Sequence, residues 1–217
     1  KLENIITLVY YKSDHTKQNE LEDMLHDIAS SSSLIKTKAI DSKSKFPCFR
    51  IFRGEIDLGI TFSGIPGGHE FSSLVLSILY ADHKGKFPDE VLINRIKNLR
   101  GPIKLQTYIS LSCENCPEIV QNLNLMAVLN HDIKHEMVDG EFVQDKIKSL
   151  NIQGVPSVMD NNNLIHSGKI SLINLLEKLE KHYGTNNKSM KNKNIGEYDV
   201  AVVGGGPAGV SSAIYTS

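Results

Sequence analysis

At 217 residues, with 40% hydrophobic and 23% charged residues, the chain is long enough for one or two packed domains. Its net charge of −1 carries no basic excess, so nucleic acid is not an expected partner. No apolar run approaches the roughly 18 residues of a membrane span, and three cysteines do not make the even framework of a secreted disulfide scaffold.

Taken in order, residues 5–10 read as a strand, and residues 18–29 as a helix with Leu21, Met24, Leu25 and Ile28 on one face. Residues 34–40 read as a strand and 41–45 as a polar loop. Residues 48–52 and 56–62 form an expected hairpin around Arg53-Gly54. Residues 64–68 are a loop, and 70–81 a helix whose 74–81 run is apolar enough for the core. Residues 88–99 are a further helix, with Val91, Ile96 and Leu99 apolar.

The same order then recurs. A strand spans 103–110, a helix follows to 129, and 133–138 and 141–150 are strand and helix. Residues 157–159 and 164–167 form a hairpin around Asn161-Asn162-Asn163, and 170–182 is the closing helix. A shift of the first half by 100 residues sets Thr7 on Thr107, Ser13 on Cys113 and Thr16 on Cys116. The sequences scarcely match, so the repeat rests on element order. Pro47 and Pro156 each open the hairpin of their half, a strand position where the missing N–H is tolerable.

Between the recurring strand and its helix lies Cys113-Glu114-Asn115-Cys116-Pro117. A cysteine pair at a helix N-terminus meets free backbone N–H groups and the positive end of the helix dipole. Both favour thiolate, the nucleophile in disulfide chemistry. Pro117 fits a first turn, where a missing N–H costs nothing. Cys113, at the mouth of the helix, is the expected attacking sulfur, and Cys116, inside the turn, the resolving one. Two other readings stand beside this one. A structural zinc half-site would need a second pair of ligands, with Cys48 or His131 and His135 as donors on other elements. The pair could also be inert and buried. Cys48 reads as a small buried hydrophobe, and His131 and His135 as solvent-facing. No metal is expected.

Residues 184–197 change to Gly, Thr, Asn, Lys and Ser, a linker spanning about 20 Å as coil, with Lys188, Lys191 and Lys193 as solvation. A buried strand over 198–203 then runs into Gly204-Gly205-Gly206-Pro207-Ala208-Gly209 and a helix. In this dinucleotide-binding fingerprint Gly204 permits the tight turn, Gly206 lets a pyrophosphate approach and Gly209 lets the helix pack closely. The chain starts at Lys1 rather than Met and stops within a helical pattern, so both ends read as cut, and the lack of a leader is weak evidence.

Several of these runs resemble the N-terminal domain of the flavoprotein subunit of bacterial alkyl hydroperoxide reductases. They are Cys113 to Pro117 with Gln121-Asn122-Leu123-Asn124-Leu125-Met126-Ala127-Val128-Leu129-Asn130, Gly64-Ile65-Pro66-Gly67-Gly68-His69-Glu70-Phe71, Gly154-Val155-Pro156, and the linker followed by Val202 to Gly209. The resemblance covers essentially the whole chain. It implies an α/β protein of two fused thioredoxin-like folds, 1–100 without a cysteine pair and 101–183 with the dithiol, then the linker and the start of an FAD-binding domain over 198–217. It implies electron flow from NADH through FAD and a flavin-domain dithiol to Cys113 and Cys116, and on to a peroxiredoxin that reduces peroxides. Glu70 matches an acid that assists proton transfer at the dithiol; on the residues alone it is a carboxylate favoured by a helix first turn. Val155-Pro156 is expected to be cis and to face the dithiol. Where the family often has His, this chain has Glu114, an acid that opposes a lowered thiol pKa. The resemblance further implies a cytoplasmic protein, no membrane contact, and a homodimer formed through the flavin domain. FAD and NADH belong to the full-length protein, and none is expected bound to 1–217. A stand-alone glutaredoxin or disulfide isomerase, and a docking module without redox activity, are the alternatives; thiol titration separates the last.

Overall fold

The computed structural model describes residues 1–186, 199–202, 204 and 206–216. Most of the predicted linker, with its three lysines, lies outside the described residues, as do Tyr198, Val203 and Gly205. Lys1–Asn186 form one compact unit and Asn187–Ser217 a second.

The first unit is built on an eight-stranded sheet in the order β2-β1-β3-β4-β6-β5-β7-β8. β1 (Ile6–Ser13) pairs in parallel with β2 (Ile35–Ser44) and antiparallel with β3 (Cys48–Arg53), which pairs with β4 (Ile56–Ser63). β5 (Ile103–Ile109) repeats this with β6 (Ile133–Asp139), β7 (Ser157–Asp160) and β8 (Asn163–Ser167). The repeat expected from element order is thus present as topology. A parallel pairing of β4 with β6, from Ile60↔His135 to Ser63↔Val138, joins the halves. The two halves share one sheet.

Side-chain alternation sets the faces. Ile6 and Leu8 on β1, and Ile103, Leu105 and Ile109 on β5, enter a continuous core. Helices α1 (Gln18–Ser30), α2 (Phe71–Ala81), α3 (Glu90–Lys97), α4 (Cys116–Leu129) and α6 (Leu172–Tyr183) contribute buried residues to it. The Asp89 carboxylate caps α3 at Leu92 N–H, and the Ser171 hydroxyl caps α6 at Asn174 N–H. On the opposite face Tyr108, Val138 and Met159 pack with Val143, Ile147 and Leu150, brought by a 3₁₀ turn over Gly140–Val143 and α5 (Gln144–Ser149).

Several expectations need correction. The loop expected at 41–45 is strand as far as Ser44: after a register shift between Tyr11 and Lys12, Lys43 and Ser44 pair with Lys12 and Ser13. Its polar residues belong to an exposed edge strand, where charge deters further pairing. The 100-residue shift is out of phase. Ile6 N–H donates to Leu34 O as Ile103 N–H donates to Asp132 O, so Ile6, not Glu3, is equivalent to Ile103. Thr16 and Asn19 then stand in the places of Cys113 and Cys116. The helix expected at 88–99 is shorter, and its Val91 is 70% exposed. The linker does not begin at Gly184. Arg100 N–H donates to Gly184 O, Thr185 bridges Leu99, and Asn186 N–H donates to Asn98 O.

In the second unit α7 (Pro207–Thr216) follows the glycine turn as expected. The strand expected just before it is absent among its described residues, and Val200 is 55% exposed rather than buried. A strand needs a neighbour for its N–H and C=O groups, and one βα step supplies none.

Candidate redox site

β5 delivers the chain to the loop 110–115, and α4 begins at Cys116. Cys113 and Cys116 are joined as a disulfide. Cys113 N–H donates to Ser110 O and Cys116 N–H to Cys113 O, at 2.9 and 3.4 Å, closing the turn. Pro117 sits in the first turn of α4. Cys116 is fully buried, while Cys113 is partly exposed. The sulfurs thus differ in access as the helix position predicts. Among the described residues no cluster of His, Cys, Asp and Glu could hold a metal.

The turn before β7 faces this loop. The Val155–Pro156 bond is cis, and Cys113 Sγ lies 3.9 Å from the Val155 carbonyl oxygen. Beside it a cleft of about 470 Å³ is lined by Ser110, Leu111, Ser112, Asp139, Gln144 and Val155, among others. Sequence reading missed Asp139, because it ended the strand at Val138. Its carboxyl is buried; Oδ1 accepts from Glu141 N–H, Oδ2 has no partner, and burial pushes its pKa upward. A larger cavity of about 1100 Å³ lies between α1 and α2, lined by Met24, Ile28, Phe71 and Val75, and touches none of these groups.

The first half reaches the site through a 3₁₀ turn over Gly68–Glu70. His69 N–H donates to Leu111 O, and a Cβ on Gly68 would meet that oxygen at 2.7 Å, so only glycine allows the approach. Glu70 is fully buried and neither carboxyl oxygen has a hydrogen-bond partner. Burial raises its pKa to about 7. An unpaired buried carboxyl is costly as an ion, so Glu70 is poised between acid and base near neutral pH.

His131 is exposed, as expected, but His135 is not: it is 1% exposed, and burial drives its pKa down to about 3. Cys48 is buried, with Sγ 3.3 Å from Ser44 Oγ, and burial raises its pKa.

In the second unit Gly204 has φ +116°, and a Cβ at Gly204 or Gly206 would meet nothing within 4 Å. α7 starts directly afterwards at Pro207, which has no N–H, and Val210 N–H donates to Gly206 O. Gly205 lies outside the described residues, and Gly209 falls in the first turn of α7.

A family model described as "Thioredoxin domain" matches residues 103–181. A Pseudomonas putida protein, the AhpF subunit of an alkyl hydroperoxide reductase, is 42% identical over 98% of this chain and 41% of its own length. A Bacillus subtilis protein named NADH dehydrogenase is 38% identical over 100% of the chain and 42% of its own length. The chain thus spans about two-fifths of the curated relatives it matches. Among solved structures, the NTD_N/C domain of the alkylhydroperoxide reductase AhpF from Enterococcus faecalis superposes with a TM-score of 0.77 at 28% identity, covering 82% of this chain and 92% of that one.

Proposed function

We propose, from the similarity of 98% of the chain to part of an AhpF subunit of an alkyl hydroperoxide reductase and from the fold it shares with an AhpF N-terminal domain, that Cys113 and Cys116 carry electron pairs between a flavin domain of the same protein and a peroxiredoxin. The observation that carries the reading is the Cys113–Cys116 disulfide, with one sulfur accessible and the other buried at the head of α4. In the reduced form the Cys113 thiolate attacks a sulfur of the peroxiredoxin disulfide. A mixed disulfide forms, and one partner thiolate leaves. Cys116, giving up its proton, then attacks Cys113 Sγ and releases the second partner thiolate. The partner gains two electrons and the Cys113–Cys116 bond is restored.

Glu70, raised to about 7, takes the Cys116 proton as that sulfur attacks and returns it when the disulfide is reduced again. The Val155 carbonyl and Pro156 shape the surface on which the partner's strand lies against Cys113. Gly204, Gly206 and the first turn of α7 would hold the FAD pyrophosphate, with Gly205, Pro207, Ala208 and Gly209 completing the turn. FAD, when bound in the full-length protein, supplies the two-electron transfer from NADH to disulfide. In this reading the full-length protein is a cytoplasmic homodimer formed through its flavin domain. No helix among the described residues is long and apolar enough to cross a membrane.

The test is non-reducing electrophoresis after mixing each variant with oxidised peroxiredoxin. Cys116→Ser leaves Cys113 able to attack, so a covalent complex accumulates; Cys113→Ser gives none. A complex trapped by Cys113→Ser instead would reverse the assignment. No complex with either variant would remove the peroxiredoxin from the scheme.

A further inference from the structure

A buried chain of hydrogen bonds crosses from the second half of the unit to the first. Thr107 Oγ1 lies 2.8 Å from His135 Nε2, and His135 Nδ1 lies 2.5 Å from Asn124 Oδ1. Asn124 Nδ2 donates to Ser77 Oγ at 2.9 Å, and Ser77 Oγ donates to the Ser73 carbonyl at 2.6 Å. All five residues are at most 1% exposed.

The proton positions follow from the ends. Ser77 has one proton, given to Ser73 O, so it accepts from the Asn124 amide. Asn124 Oδ1 is then the acceptor, which puts the His135 proton on Nδ1 and leaves Nε2 to accept from Thr107. Every donor points the same way, and the ring must be neutral, as its burial requires. A chain of this kind is a demanding way to fill a core, because any broken link strands a polar group. What it provides is register: α4 and α2 meet in only one position that satisfies all the groups. Glu70 stands one turn before Ser73 on the α2 side. Gln121 on α4 donates to Ser72 Oγ and Ser73 Oγ, at 3.1 and 3.5 Å.

We propose that Asn124 and Ser77 are positioning residues for Glu70, the buried chain fixing α2 against α4 in the register that holds the Glu70 carboxyl at the dithiol. This rests on the role given to Glu70 above. The other titratable groups on its own turn and on the segments packed against it are His69, which is exposed, Tyr80 on α2, and Cys113, Glu114, Cys116 and Glu118 on the dithiol segment. Glu118 lies 3.9 Å from Lys169.

The reduced 217-residue chain, mixed with 5,5′-dithiobis(2-nitrobenzoic acid), separates the two chemical steps. Attack by Cys113 releases one thionitrobenzoate, and ring closure by Cys116 releases the second. Near neutral pH, Glu70→Gln should slow the second release about 100-fold and leave the first unchanged. Ser77→Ala removes one hydroxyl with little change in volume. It should slow the second release about threefold or more and shift its pH profile, and Glu70→Gln should then cost at least about threefold less in that background. Should Ser77→Ala fail to fold, Thr107→Val breaks the same chain at its other end and is read in the same way. A second-release profile identical to wild type, or an undiminished cost of Glu70→Gln in Ser77→Ala, would overturn the proposal. If Glu70→Gln alone leaves ring closure unchanged, the role of Glu70 fails first and the positioning role falls with it.

Discussion

A carboxyl group without a partner in a protein core favours its neutral form, and this gives Glu70 a signature in stability as well as in rate. Its pKa is raised from 4.5 to about 7 by burial. A raised folded-state value means the stabilising contribution is intact below about pH 4.5 and lost as pH rises through about 7. The span corresponds to about 3 kcal/mol. In urea unfolding of the oxidised protein, Glu70→Gln should therefore gain about that much on wild type between pH 4.5 and pH 7.5. A gap that does not change with pH would mean that the folded carboxyl titrates normally. At this scale the dithiol was legible, because strand, Cys-x-x-Cys, proline and helix are adjacent in the chain. His135 was not. It looks like a surface histidine near a loop, yet β4 runs alongside it at Ile60 and α4 supplies Asn124. Ile60 is far off in sequence and Asn124 sits on a different element, and together with Thr107 of β5 they turn a polar strand residue into an interior link.

Among the elements, the β4–β6 seam depends on close approach. Gly59 has φ +72°, and a Cβ there would lie 2.8 Å from the Ile133 carbonyl oxygen; at Gly64, φ +126°, it would lie 2.7 Å from Asp139 Cβ. Gly59→Ala combines a left-handed backbone with a clash against main chain, which cannot swing aside. It should destabilise the unit by about 1–3 kcal/mol, seen as a lower denaturation midpoint with Cys113–Cys116 chemistry retained in the folded fraction. Wild-type stability would show that the strands can part without cost. Strand and helix existence was readable from periodicity, but boundaries were not. β2 runs on to Ser44 because β1, not its own polar sequence, supplies pairing partners.

For the whole molecule, one sheet and one continuous core mean that the halves should not melt separately. Ile60 and Phe62 of the first half and Ile133 and Met137 of the second belong to the same buried cluster. Calorimetry should give a single transition of residues 1–186 whose van't Hoff and calorimetric enthalpies agree. Two resolved transitions would show the seam to be a weak contact between independent domains. That the order of elements repeats could be read from the chain; that the copies fuse edge to edge could not, since it rests on a four-residue pairing, Ile60–Ser63 with His135–Val138, with no sequence marker of its own.

The pinned tail has a mechanical consequence. Gly184, Thr185 and Asn186 are fastened at Asn98–Arg100, just before β5, whereas the disulfide follows the far end of that strand. Seven residues of β5 place anchor and sulfurs on the order of 20 Å apart. The point where the tail is tied and the point where thiol chemistry takes place therefore stand at opposite ends of one strand.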